Sequence, residues 1–191
     1  SGLHFHVSLW SGEHCVFAPE AGGLLSPIGR HFMAGVLAHA PALTALASPT
    51  VNSYKRLTVG ESLSGTTWAP AYIAHGPNNR TALVRTLPGR FEWRVPDASA
   101  NPYLATAALV AAGLDGIDRR LDPGPDCVED LFALSLSQIR ERGIGLLPQS
   151  LNEAIDALAA DDVVCSALGP TLLAEFIKLK RAEWLAYARH V

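Results

Sequence analysis

Glu92 and Arg94 stand two residues apart in the run Gly89-Arg90-Phe91-Glu92-Trp93-Arg94-Val95-Pro96-Asp97. Strand side chains alternate between faces, so the carboxylate and the guanidinium project together while Phe91, Trp93 and Val95 take the opposite side. A carboxylate beside a guanidinium can hold a divalent cation and an anionic ligand at the same time. The run Leu3-His4-Phe5-His6-Val7-Ser8-Leu9-Trp10 alternates in the same way, with His4, His6 and Ser8 on one face and Leu3, Phe5, Val7 and Leu9 on the other. Two such strands make a sheet whose exposed side carries chemistry. Each strand alone also fits an ordinary half-buried strand, since imidazoles in sheets often serve only as hydrogen-bonding groups.

The rest of the chain supplies the elements that position these residues. Ser11-Gly12-Glu13-His14 reads as a turn, with Cys15 to Ala18 returning as a short edge strand. Ser26-Pro27 is a helix start, with an apolar stripe of Ile28, Phe32, Val36 and Leu37. That helix runs to about Ala40, where Pro41 ends it or restarts a second one toward Ala47. The segment 48–57 holds too many turn formers and cations for a core element, and 59–79 reads as one long functional loop. Asn79 to Arg85 returns to strand character, and Pro88-Gly89 turns the chain into the Glu92 strand, a hairpin pattern. Asn101-Pro102 caps an Ala-rich helix to about Ile117, apolar nearly all round and therefore expected to be buried. Further helices are expected over 129–142, stopped by Gly143, and from the capping box at Ser150 to about Ala160. The last runs over 171–189, with Leu172, Phe176, Leu179 and Trp184 on its apolar side.

At 191 residues the chain fits one domain with a sizeable core; 49% of it is hydrophobic, and its formal charge of −3 gives no reason to expect nucleic-acid binding. Cys15, Cys127 and Cys165 have no metal-ligand spacing and read as reduced cytoplasmic thiols. There is no signal segment and no apolar run near the ~20 residues that a membrane helix needs. Ser1-Gly2 leads straight into a strand and Val191 closes a helix without a cap, so both ends read as cuts through a longer protein.

Six stretches, in order, resemble the C-terminal catalytic part of the glutamine synthetase family. They are Gly2 to Trp10, Asn52-Ser53-Tyr54-Lys55-Arg56-Leu57, Asn79-Arg80-Thr81, Phe91 to Asp97, Asn101-Pro102-Tyr103-Leu104 and Ala112-Gly113-Leu114-Asp115-Gly116-Ile117. The resemblance implies an α+β fold: a curved, mainly antiparallel sheet with helices packed on one side, a helical C-terminal half, and the active site on the open face. It implies ATP-dependent joining of glutamate to ammonia or a small amine through γ-glutamyl phosphate, with Mg²⁺ or Mn²⁺. Position by position, it makes Glu92 a ligand of the metal that holds glutamate and His4 a ligand of a second metal at the ATP phosphates. His6 and Ser8 then touch ATP, Arg56 and Arg94 hold glutamate carboxylates, and Arg80 and Arg85 face the transferring phosphate. Such chemistry suits arginine, because phosphoryl transfer asks the protein mainly for placement and for neutralisation of oxygen charge. The family further implies upstream metal ligands and an N-terminal domain outside this chain, stacked-ring homo-oligomers, and an inactive fragment when these 191 residues stand alone.

One stretch departs from the ammonia-using pattern. In place of a Pro-Gly-x-Glu-Ala-Pro flap stands the longer Thr58 to Pro70, in which Glu61 is the nearest acid and Ser64-Gly65-Thr66-Thr67-Trp68 is similar to the glutamate–methylamine ligase branch. An alkylamine nucleophile is therefore the expectation for the 58–79 flap. The lysine usual just before the Glu92 strand is absent, and Arg90 is the nearest cation. The rival readings are a non-catalytic scaffold or regulator of the same family, a metal hydrolase built on the His4-x-His6 pair with Glu92, which would need a further ligand and a water site, and a guanidino phosphotransferase.

Overall fold

The computed structural model describes residues 2–19, 22–59 and 69–190. The flap residues 60–68, Glu61 among them, lie outside the described residues.

Seven strands form among the described residues: β1 (Phe5–Val7), β2 (Trp10–Ser11), β3 (His14–Cys15), β4 (Tyr72–Pro77), β5 (Ala82–Leu87), β6 (Arg90–Trp93) and β7 (Gly145–Leu146). Five of them build one sheet in the order β1-β6-β5-β4-β7. All of its pairings are antiparallel except the parallel pair β4–β5. Gly12, at φ 59°, turns the chain between β2 and β3, which form a separate two-stranded ribbon.

The helices are α1 (Pro27–Ala38), α2 (Ala40–Ala47), α3 (Pro102–Asp118), α4 (Leu136–Glu141), α5 (Leu151–Ala159), α6 (Asp162–Leu168) and α7 (Pro170–Ala188). The Ser26 hydroxyl accepts from the Gly29 amide at 3.1 Å and donates to the Val16 carbonyl at 2.7 Å, which fixes where α1 starts. Asn101 accepts from the amides of Tyr103 and Leu104 and starts α3 in the same way. Pro41 restarts the helix rather than ending it. The core lies between the sheet and these helices. Phe91, Trp93 and Val95 from the strand side meet Phe32, Met33 and Val36 of α1 and Leu109 of α3. Phe17, Phe32 and Phe91 form a ring cluster with centroids 5.4–6.1 Å apart. A smaller core joins Tyr72 and Ala82 to Leu131 and Ile139.

Several expectations fail, each for a physical reason. The centre of the supposed loop 59–79 is β4, enclosed on both faces, so it shows no polar alternation. The segment 48–57 buries Ser53, Tyr54 and Leu57 around a single tight turn. Ile28 is exposed, as are Tyr103, Val110 and Leu114 of α3, so α3 is covered on one side only. The helix expected over 129–142 is split by a short turn at Leu131–Ala133 and a new cap at Ser135, whose side chain closes a capping box with Gln138. In α7 the residues that reach the core are Leu173, Phe176, Ile177 and Trp184, while Leu172 and Leu179 point outward. Helix α6 went unread.

His39, at the α1–α2 junction, ties the helices together. Its Nδ1 lies 2.7 Å from Asp161 and its Nε2 3.0 Å from Asp115 of α3, which also meets Arg119 at 3.1 Å. The hydrogen bond to Asp161 raises the His39 pKa; burial opposes this, and Asp115 adds to it. A neutral imidazole has a single N–H and can serve only one of the two carboxylates. The folded-state pKa is raised, so the stabilisation is full below the ordinary histidine pKa and is lost as pH climbs through the raised one. Thermal melts from pH 6 to pH 9 are expected to fall on the alkaline side, and His39→Gln should flatten that slope. An unchanged slope in the variant would refute the assignment.

Candidate active site

In the register of the sheet, His6 stands opposite Glu92 and Glu92 opposite Arg85, one row across three strands. Phe5, Trp93 and Val84 occupy the neighbouring row, whose side chains enter the core. Strand alternation thus gives one face to packing and the other to charge.

Glu92 is the hub. Its Oε1 lies 2.8 Å from His4 Nδ1 and accepts from Arg94 Nη1 at 3.0 Å, and its Oε2 accepts from Arg85 Nη1 at 3.2 Å. Glu92 and Arg94 are 4% and 3% exposed, whereas His4, His6 and Arg80 are open to solvent. Burial pushes the Glu92 carboxyl upward, but the charge of Arg94, hydrogen bonds from Arg85 and Arg94, and His4 outweigh it and hold the pKa below its ordinary value. The group is therefore ionised at neutral pH. Burial, then the Arg94 charge, lower the His4 pKa against the pull of Glu92, so His4 is a neutral imidazole with a lone pair to give. Since an ionised carboxylate only accepts, His4 Nδ1 carries the hydrogen and Nε2 the lone pair.

Arg56 is fixed from behind: its Nη2 donates to the carbonyls of Val95 and Pro96. A Cβ on Gly2 would sit 3.1 Å from Arg56 Nη1 and 3.3 Å from His4 Nε2, so the absent side chain leaves room between these two groups. Arg94 feels the charges of both Arg85 and Arg80. Ser8 accepts from Trp10 Nε1 at 3.0 Å and lies outside this cluster of contacts. His4, Glu92, Arg85 and Arg94 are thus in direct contact, Arg56 and Arg80 flank them, and His6 occupies the same row.

The Asn79-Arg80-Thr81 motif divides its labour. Asn79 donates to the carbonyls of Cys127 and Glu129, both at 2.9 Å, and accepts from the Thr81 amide and hydroxyl. Thr81 in turn accepts from the Leu131 amide at 3.1 Å. Both side chains anchor the 127–131 segment and turn Arg80 outward. Sequence reasoning passed over Asn78 and Gly2 as contributors to the site. Asn78, whose side-chain oxygen accepts from Arg85, carries no local sequence sign of that role.

A carboxylate ringed by arginines on the open face of a mainly antiparallel α+β sheet defines a site for anionic ligands. The family model for the glutamine synthetase catalytic domain matches residues 1–191, and the chain belongs to that family. It is 52% identical to a glutamate–methylamine ligase of Methyloversatilis universalis, covering 100% of this chain and 44% of that protein. It is 46% identical to a glutamine synthetase of Archaeoglobus fulgidus, covering 100% of this chain and 40% of that one. The fold superposes on a solved structure described as a GmaS/ADP complex with a TM-score of 0.89 at 44% identity, over 100% of this chain and 44% of that one. The chain therefore spans less than half the length of these relatives. Among the described residues no helix is long and apolar enough to cross a membrane.

Proposed function

We propose that the protein is an ATP-dependent ligase that joins the γ-carboxylate of glutamate to a small amine, and that this chain carries the arginine-rich half of the site. The observation that carries the reading is the set of Arg56, Arg80, Arg85 and Arg94 about the ionised carboxylate of Glu92, with Asp97 the acid nearest in effect to Arg56. That excess of positive charge suits a triphosphate next to an acidic amino acid, and an arginine stays charged throughout the reaction.

Arg56 and Arg94 hold the glutamate carboxylates. Arg80 and Arg85 face the phosphate that moves, and His6 and Ser8 contact ATP. A γ-carboxylate oxygen attacks the terminal phosphorus and the bond to ADP breaks, giving γ-glutamyl phosphate. The deprotonated amine then attacks the acyl carbon and inorganic phosphate leaves. The arginines neutralise oxygen charge in the first step, and the second needs water kept from the acyl phosphate.

His4 and Glu92 have the right donor chemistry for Mg²⁺ or Mn²⁺, an imidazole nitrogen and a carboxylate oxygen. The 2.8 Å contact runs through His4 Nδ1, so the Nε2 lone pair faces away from Glu92, in keeping with one ion at Glu92 and a second at His4. Among the described residues no group of three His, Cys, Asp or Glu side chains converges to hold a metal, and phosphate oxygens and water would complete the coordination. A bound ion would draw charge from the phosphate oxygens.

The 52% identity to a methylamine ligase, against 46% to a glutamine synthetase, favours an alkylamine as the nucleophile. The full-length protein, assayed for ADP release with glutamate and a panel of amines, is expected to turn over methylamine faster than ammonia. Ammonia-only turnover would remove the alkylamine assignment, and ADP release that ignores glutamate would remove the ligase reading.

A further inference from the structure

Arg85 is gripped from two sides. Its Nη1 donates to Glu92, and both its Nε at 2.9 Å and its Nη2 at 2.5 Å donate to Asn78 Oδ1. A guanidinium has five N–H groups in one plane. Three are engaged here, and they leave one N–H on each Nη nitrogen, a fork suited to two oxygens of a phosphate.

Asn78 sits at φ 52°, in the left-handed region that side chains other than glycine rarely adopt. Its amide donates to Thr86 at 3.1 Å, which fixes the turn at the end of β4. Glycine would serve that backbone at lower conformational cost. What asparagine adds is the side-chain oxygen, and that oxygen goes to Arg85. Asn78 is exposed, so the pair has no packing role that would explain it.

We propose that Asn78 is a positioning residue that sets the plane of the Arg85 guanidinium for the transferring phosphate. This rests on the assignment of Arg85 to that phosphate given above. Among the described residues, losing Asn78 leaves Glu92 as the one side chain holding the guanidinium, which is then able to pivot about a single contact, and the cost falls on the reacting geometry more than on binding.

The test uses the full-length protein and four variants: Asn78→Gly, Asn78→Asp, Arg85→Ala and the double variant Asn78→Gly/Arg85→Ala. Asn78→Gly keeps the backbone conformation and removes the oxygen. It is expected to lower kcat about 10- to 100-fold, with ADP affinity changed less than about 3-fold. Asn78→Asp keeps an acceptor and should recover most of the loss. In the Arg85→Ala background, Asn78→Gly should do nothing further; a residue needed only for the turn would add its effect instead. Unchanged kcat in Asn78→Gly, additive effects in the double variant, or an aspartate no better than glycine would each overturn the proposal. If Arg85→Ala itself turns over normally, the phosphate assignment of Arg85 falls with it. An impaired Arg85→Ala beside a normal Asn78→Gly would sink the positioning role alone.

Discussion

Replacing Glu92 with glutamine in the full-length protein is expected to lower ligase turnover by roughly 10³-fold, the scale on which losing one preorganised electrostatic group at a reacting centre is felt. The side chain keeps its shape and loses its charge. In the native site both carboxylate oxygens accept: Oε1 from Arg94 and His4, Oε2 from Arg85. An amide must turn its NH₂ toward one of those sides, so donor meets donor whichever way it flips. Arg94, 3% exposed, would also lose a buried counter-charge, and breaking such a pair costs about 3–5 kcal/mol. The variant should therefore melt lower as well as turn over more slowly. Turnover is to be read per folded molecule, with ADP binding measured alongside. Glu92→Asp, which keeps the charge on a shorter arm, should fall between the two. A loss below about 10-fold in Glu92→Gln would show that the hub does no electrostatic work in the reaction.

The second large effect concerns stability. A methyl group on Gly35 of α1 would lie 2.0 Å from the Ala112 carbonyl oxygen and 2.8 Å from the Gly116 amide, both backbone atoms of α3. Gly116 is reciprocally crowded by the His31 carbonyl at 2.2 Å. The two helices touch backbone to backbone here, and no side chain can swing aside. Alanine is favoured over glycine inside a helix by about 1 kcal/mol. Prying apart α1 and α3 would loosen Phe32, Met33, Val36 and Leu109, and overpacking of this kind costs about 1–3 kcal/mol or more. Because the obstacle is backbone, the upper end applies and outweighs the helix gain. Gly35→Ala is expected to cost roughly 2 kcal/mol net and to lower the Tm of the full-length protein. A variant that melts at or above the parent would mean that the crossing is looser than these distances.

The sequence made the two faces readable because strand alternation is local: Phe5 and Val7 against His4 and His6, Phe91 and Trp93 against Glu92 and Arg94. Ser26-Pro27 and Asn101-Pro102 were legible for the same reason, since a cap and its helix are neighbours in the chain. β4 was hidden because an enclosed strand has no polar face to show, and its Gly76 and Pro77 imitate a loop. Gly76 is there for another cause: a Cβ would fall 1.8 Å from the Cys127 carbonyl, a contact made across 51 positions of sequence that no local pattern reports. Which charges meet was beyond reach too. His4, Asn78 and Arg94, which meet the Arg85–Glu92 pair, come from just before β1, just after β4 and just after β6, and only the sheet brings those ends together.

Parallel neighbours in a sheet ordinarily need a connection of a dozen or more residues, yet only residues 78–81 lie between β4 and β5. Returning along a six-residue strand takes nearly the full reach of so short a link. The link therefore has no slack, and Asn79 and Thr81 pin it to the 127–131 backbone. Arg80 lies within that tether and moves only as the tether and its anchor move, while Arg85, four residues past its end, is set by β5 and its pairing with Glu92. An insertion that changed the reach of the anchoring segment would therefore displace Arg80 relative to Glu92, so the spacing of these opposite charges is set by chain length as well as by side chains.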